Sequence, residues 1–329
     1  MTRTLQSLRL NCETLTCTAP ELSGLYKRLA NFLFNKRHHK GSIMPKDQKI
    51  RVVCISDTHG YAPGEGYVLP KGDILIHAGD LTNQGSLSEI QKVTKWLSKL
   101  DFAAIIIVAG NHDLSLDPKY ALKYDTGWKV VPEDVEACRR LLMDNPRLTY
   151  LQHSDAVIHL PEKDVHIRVF GSPFSPDRGR QNWAFQYDPS AAVPIWDDVK
   201  ADTDILITHT PPAGVCDESV HWEAGGCLAL RGKLSQIRPL LHVCGHCHEG
   251  RGAAILDWEE DSVQAWNDES AGSKKLSLVK FAGRRGGSAT AVVNASIMGR
   301  SHGRGSKVFN KPVVIDLSVP RRNSDGANA

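Results

Sequence analysis

Residues able to hold a metal ion recur in this chain at one kind of place, the abrupt polar end of a short apolar run. Asp57-Thr58-His59 follows the run Ile50 to Ser56, Gly79-Asp80 follows Ile74 to Ala78, and Gly110-Asn111-His112-Asp113 follows Ala103 to Ala109. His209 follows Ile205 to Thr208, and Gly245-His246-Cys247-His248 follows Leu240 to Cys244. The last block has two readings: Cys244-Gly245-His246-Cys247 spells a C-x-x-C dithiol, whereas Gly-His-x-His spells a pair of imidazole ligands.

The strand ends together offer Asp57, His59, Asp80, Asn111, His209, His246 and His248. Three oxygen-bearing side chains and four imidazoles exceed the needs of one ion. They suit two divalent metals roughly 3.5 to 4 Å apart with one carboxylate between them, an arrangement used for hydrolytic displacement at phosphorus. Asp57 and His59 are one residue apart, so both can face the same way where the chain leaves its strand. Mixed imidazole, carboxylate and carboxamide donors favour Mn²⁺, Fe, Zn²⁺ or Co²⁺ over Ca²⁺, with Mn²⁺ the first expectation. Two such ions outweigh the carboxylates of Asp57 and Asp80, so the site should attract a phosphate anion. Singly, an aspartate after a strand is a turn or cap and a lone histidine is structural. The order of all the blocks carries the metal reading. A redox C-x-x-C opens a helix in a thioredoxin-like unit, whereas this one falls late, after four other ligand blocks, which opposes a thiol-disulfide oxidoreductase. Cys247 would still make the site oxidation-sensitive if its thiol faced the metals.

Positioning these residues requires an α/β fold. Near-continuous apolar strands mark sheets covered on both faces, and helices over Ser88 to Leu100 and Glu133 to Met143 would supply cover. In such sheets ligands gather beyond the carboxyl ends of strands, so the polar blocks predict one shared site. Further strands are expected at Ala156 to Leu160, Val165 to Phe170, Thr290 to Val293 and Pro312 to Leu317. A turn-rich loop from Gly171 to Trp183 carries Arg178, Arg180, Asn182 and Trp183, able to hold a phosphate and stack on a base, or simply to face solvent.

Three domain parts are expected. Residues 1–49 form an N-terminal extension with an amphipathic helix (Leu22, Leu25, Tyr26, Leu29, Phe32, Leu33) whose basic end, Lys36 to Lys40, complements its dipole. Residues 50–319 form the domain, with 251–290 as an inserted segment, a solvated loop or a partly ordered flap, because Glu259, Glu260, Asp261, Lys274, Lys275, Arg284 and Arg285 crowd it. Residues 320–329 form a disordered tail.

The 329 residues, 41% hydrophobic and 23% charged with formal charge +3, can bury a sizeable core and require neither nucleic acid nor membrane. No apolar run approaches the roughly 18 residues of a membrane span. Eight cysteines without a signal-peptide core read as reduced thiols of an intracellular, cytoplasmic protein.

These blocks resemble the calcineurin-like metallophosphoesterases. Val53 to His59, Gly171-Ser172-Pro173, Thr208 to Pro212, Gly245 to Gly250 and Asn294-Ala295-Ser296 look like the metallophosphoesterase-domain-containing 1/2 subgroup, and the resemblance runs from about Ile50 to Leu317. It implies a four-layer sandwich, two packed mixed β-sheets flanked by helices. It also implies one metal held by Asp57, His59, Asp80 and His248 and a second held by Asp80, Asn111, His209 and His246. His112 would then stand beside the leaving-group oxygen, with Asp113 orienting its imidazole, and a metal-bridging hydroxide would attack. The substrate implied is a small phosphodiester, with cyclic and other nucleotides among the candidates. Some members lack a ligand and act as nucleotide-binding scaffolds, a second reading for this chain. Every ligand position is filled here, which favours an enzyme. The N-terminal extension and the 251–290 segment depart from the family pattern.

Overall fold

Short β-branched runs dominate the secondary structure. In the computed structural model of the chain, β1 (Gln48–Ile55), β2 (Ile74–Ala78), β3 (Ala104–Val108) and β4 (Thr149–Leu151) lie side by side in parallel. The hairpin of β5 (Ser154–Leu160) and β6 (Val165–Ser172) and two short strands, β7 (Ser175–Pro176) and β8 (Gln186–Tyr187), follow. Then come β9 (Ile205–Thr208), β10 (Leu241–Cys244), β11 (Gly252–Asp257), β12 (Ser262–Ala265), β13 (Ser277–Lys280), β14 (Ala289–Asn294) and β15 (Val313–Val319). The helices are α1 (Leu87–Leu97), α2 (Val135–Met143), α3 (Ala192–Asp197) and α4 (Leu228–Ile237). The structure describes residues 47–120, 134–179, 183–223, 225–270, 273, 276–281, 283, 286–299 and 307–319. The chain divides into two units, Met1–Met44 and Pro45–Ala329, and all described residues belong to the second. The helix expected before Lys40 and the tail 320–329 lie outside the described residues.

Two mixed sheets result, in the orders β13-β15-β1-β2-β3-β4 and β12-β11-β14-β10-β9-β6-β5. Alternate side chains on each strand point to opposite faces, and that period of two builds the layers. Val52, Cys54, Ile76 and Val108 of the first sheet meet Ile167, Ile205, Ile207 and Val243 of the second in one buried core. On the outer face of the first sheet, Val53, Leu75 and Ile105 pack under Ile90, Val93 and Leu97 of α1. On the outer face of the second, Phe170, Leu206 and Val292 pack under Trp196 of α3 and Leu230 and Leu234 of α4. The architecture is thus helix, sheet, sheet, helix, as the family resemblance implies. α1 begins at Leu87 because Ser86 caps it: Glu89 N–H donates to Ser86 Oγ, and the Glu89 carboxylate accepts from Ser86 N–H.

Residues 251–290 correct the expectation of a solvated loop. β11 pairs antiparallel with β14 and buries Ala253, Ala254 and Leu256, and β13 pairs parallel with β15, so the segment supplies strands to both sheets. Its acidic run, Glu259 to Asp261, is confined to the tight turn between β11 and β12. Among the described residues no helix is long and apolar enough to cross a membrane.

Candidate metal centre

β1, β2 and β3 of one sheet and β9 and β10 of the other end at the same seam, and the chain turns sharply at each exit. Asp57 N–H donates to the Gly79 carbonyl at 2.9 Å, and Gly245 N–H donates to the His209 carbonyl at 3.0 Å, so neighbouring strand ends lock one another. Four chemistry-bearing residues there adopt left-handed backbone: Asp57 (φ 51°), His59 (φ 44°), Asp80 (φ 51°) and His246 (φ 68°). Asp and His tolerate this region better than most residues, yet each costs on the order of 1 kcal/mol, and such strain collects at functional sites. Glycines admit the side chains. A Cβ at Gly245 would overlap Ser56 Oγ and Asp57 Oδ2, and one at Gly110 would overlap the Asp80 backbone nitrogen and Oδ1.

Ligand atoms of Asp57, His59, Asp80 and His248, all buried, lie within 4.8 Å of one another. His248 Nε2 is 3.2 Å from Asp57 Oδ1, and His59 Nε2 is 3.4 Å from His248 Nε2 and 3.8 Å from Asp80 Oδ2. The other oxygen of Asp80, Oδ1, faces His209 Nε2 at 3.4 Å. Asn111 Oδ1 then stands 2.9 Å from His209 Nε2 and 2.8 Å from His246 Nδ1. Asp80 therefore sits between two clusters, one oxygen turned toward each. His209 is oriented from behind: its Nδ1–H donates to the Ala78 carbonyl at 3.0 Å, which leaves Nε2 as the atom facing the cluster.

Donor atoms of this density require cations between them. In the protein alone, protons serve. Burial pushes His209 down, but Asp80 and Asp57 outweigh it and hold the ring up at about 9. His248 is likewise raised by Asp57 against its burial. Asp57 and Asp80, which burial alone would raise, are held below the usual carboxylate range chiefly by His248 and His209 respectively. Burial takes His59 and His246 down to about 3, leaving them neutral. Two carboxylates, a carboxamide oxygen and four imidazoles around two foci form a donor set that fits two divalent ions of the Mn²⁺, Fe or Zn²⁺ type.

Supporting contacts extend the site beyond what the sequence pattern reveals. Ser296 Oγ lies 2.8 Å from Asp57 Oδ2. Asn294 donates to the carbonyls of Cys216 (2.9 Å) and Cys247 (2.8 Å) and so fixes the turn bearing His246 and His248. Half-buried His112 stands at the edge, its ring T-shaped to His59 at 4.7 Å. Its Nδ1 pairs with the Asn83 carbonyl at 2.8 Å, and Trp183 lies against its face at 4.1 Å.

Asp113 does not orient that imidazole, contrary to expectation. Its buried carboxylate accepts from the backbone N–H groups of Leu81, Thr82 and Gly110 and from Thr82 Oγ1, tying the β2 and β3 exits together. Arg178 donates to the Gly226 carbonyl at 3.0 Å and lies over Trp222, 5.7 Å from the ring centre. Trp222, which no sequence signal marks, stacks on His246 with centroids 5.4 Å apart and planes at 18°. Arg180 and Asn182 lie outside the described residues. Cys247 is buried with its sulfur against Gly225, and burial raises its thiol pKa. Cys244 is buried within β10 and its thiol contacts the Val293 carbonyl. Neither thiol has thiolate character, and the dithiol reading finds no support.

Residues 50–250 match the family model described as calcineurin-like phosphoesterase. The chain is similar to metallophosphoesterase domain-containing protein 1 of Homo sapiens, 31% identical over 83% of this chain and 72% of that protein. It is 34% identical to a UPF0046 protein of Caenorhabditis elegans over 62% of this chain and 65% of that one. It is also 39% identical, over 65% of its length, to "Probable rhamnogalacturonate lyase C" of Emericella nidulans, of which it spans 18%.

Proposed function

The chain belongs to the calcineurin-like phosphoesterase family, and on that footing we propose that it is a dinuclear-metal-dependent phosphodiesterase acting on a small diester, with nucleotides among its substrates. The observation that carries the reading is the buried convergence of Asp57, His59, Asp80 and His248 within 4.8 Å, with the second oxygen of Asp80 turned to His209. Asp57, His59, Asp80 and His248 would hold one ion, and Asp80, Asn111, His209 and His246 the other. Bound divalent ions supply charge neutralisation at the phosphoryl oxygens and activation of the attacking water.

The chain's own residues do the rest. Ser296 and the Ala78 carbonyl orient Asp57 and His209. The strained exits hold the donors at fixed separations before substrate arrives, so little reorganisation remains for the reaction step. His112, whose Nδ1–H donates to the Asn83 carbonyl and whose ring lies against Trp183, presents Nε2 beside the site; burial lowers its pKa, so the proton for the departing oxygen would come from the imidazolium form, which the phosphate charge of a bound substrate would favour. Indole rings at both ends of the cluster, Trp183 at His112 and Trp222 at His246, suit an ester carrying organic substituents on both sides of phosphorus.

Steady-state hydrolysis of bis-p-nitrophenyl phosphate with added Mn²⁺ tests the reading. His112→Ala should turn over roughly 10² to 10⁴ times more slowly while retaining its metal content. Undiminished hydrolysis by that variant would remove His112 from the mechanism. Tight nucleotide binding without hydrolysis of any ester by the metal-loaded wild type would replace the enzyme with a scaffold.

A further inference from the structure

Trp222 is placed unlike the other described tryptophans. Trp96, Trp183, Trp196, Trp258 and Trp266 each pack into one of the three apolar clusters, and Trp222 does not. Its neighbours are polar groups of the site: His246 stacked on it at 5.4 Å and the guanidinium of Arg178 over it at 5.7 Å. The ring is half-buried, and its Nε1 is shielded without a hydrogen-bond partner among the described residues. Arg178 spends one donor on the Gly226 carbonyl, and among the described residues no carboxylate pairs with it. A large indole outside the core does not stabilise the fold by core packing. Stacked on a residue of the metal cluster, it is placed to act on what that cluster binds.

We propose that Trp222, with the Arg178 guanidinium over it, forms a subsite selecting diesters whose retained substituent carries a planar ring. The inference rests on the phosphodiesterase reading and narrows its substrate class. An indole face gains from any planar π-system, and a guanidinium plane beside it widens the platform and adds positive charge for electron-rich rings. An alkyl substituent gains neither. The selectivity should therefore appear as a difference between ring-bearing and alkyl esters with the same leaving group.

Phenyl p-nitrophenyl phosphate and ethyl p-nitrophenyl phosphate make that comparison in the Mn²⁺-loaded protein. The phenyl-to-ethyl ratio of kcat/KM should fall roughly 5- to 100-fold in Trp222→Leu, through KM of the phenyl ester. Trp222→Phe should keep most of the preference, and Arg178→Gln should reduce it part of the way. Equal losses on both esters in Trp222→Leu would overturn the subsite and leave Trp222 a structural residue. If Trp222→Leu failed to fold, an unchanged ratio in Arg178→Gln and Trp222→Phe alike would overturn it equally. Should the wild type hydrolyse neither ester, the proposed function fails on its own. Calorimetric binding of the same two esters then decides the subsite: tighter phenyl ester binding supports it, and equal affinities overturn it.

Discussion

Replacing His242 by glutamine should make the protein less sensitive to acid. The His242 ring is fully buried on β10, with Nε2 2.8 Å from Thr208 Oγ1. The Thr208 hydroxyl proton is committed to the Thr210 carbonyl at 2.6 Å, so Nε2–H must be the donor and Nδ1 carries the lone pair, without a partner. Burial takes this imidazole from 6.5 down to about 3. A folded-state pKa below the unfolded one means the ring's contribution is complete above 6.5 and is lost as pH falls toward 3. Between pH 7 and pH 5 the protonated unfolded state gains about 2 kcal/mol over the neutral folded one from this ring alone. Glutamine keeps an amide donor for Thr208 and does not titrate. Urea unfolding of both proteins at the two pH values should show the wild type losing about 2 kcal/mol more than His242→Gln. Other buried histidines, such as His77, titrate alike in both proteins and cancel in the difference. Equal acid losses in the two would mean that the folded protein accepts the proton, and the burial argument would be wrong.

Further outcomes follow from the site. Ser296→Ala removes the contact to Asp57 Oδ2 and should weaken metal affinity roughly 10- to 100-fold in chelator competition, and unchanged affinity would show that Asp57 needs no such support. Gly245→Ala forces a Cβ into Ser56 Oγ and Asp57 Oδ2 and should lower the unfolding free energy by roughly 1 to 3 kcal/mol, together with a loss of bound metal by elemental analysis. The Cys247 thiol, buried and raised in pKa, should resist an aromatic disulfide reagent until the protein unfolds, and prompt labelling at Cys247, located by mass mapping, would contradict its placement. Metal loading of the chelated protein at pH 7 should release at least one proton, the one that Asp80 and Asp57 hold on His209, with a further contribution from His248, which Asp57 raises. Calorimetry in buffers of different ionisation enthalpy measures that number, and a value near zero would refute the protonation pattern.

The strand exits were legible because a buried parallel strand is an unbroken apolar run, and the polar block ending it stands out by contrast. Other features were hidden for definite reasons. Asp113 follows His112 directly, but adjacent side chains diverge, and the buried carboxylate found the backbone N–H groups of Leu81, Thr82 and Gly110 instead. Trp222 sits in a connection with neither period nor motif, and its neighbours His246 and Arg178 are distant in sequence. The 251–290 segment misleads because its strands are short and separated by charged residues. Only the pairing with β14 and β15, fixed by the fold as a whole, shows that they belong to the sheets.

The seam between the sheets explains why strained backbone and close-fitting glycines collect in one place. On the proposed assignment, one ion takes Asp57, His59 and Asp80 from the first sheet and His248 from the second, and the other takes Asp80 and Asn111 from the first and His209 and His246 from the second. Neither sheet completes a ligand set alone. The same seam is crossed by the Ile297 N–H bond to the Ser56 carbonyl at 2.8 Å and by Ser296 against Asp57. Left-handed exits at Asp57, His59, Asp80 and His246 cost stability locally, so something outside the turns must keep them from relaxing. The inner core does so, because Cys54, Ile76, Ile207 and Val243 set the separation of the strands from which those exits leave. Close-packed interiors transmit small displacements. A shortened side chain at Ile207 or Val243 would therefore be felt at the donor atoms of the proposed site, although both residues belong to the apolar core rather than to the cluster.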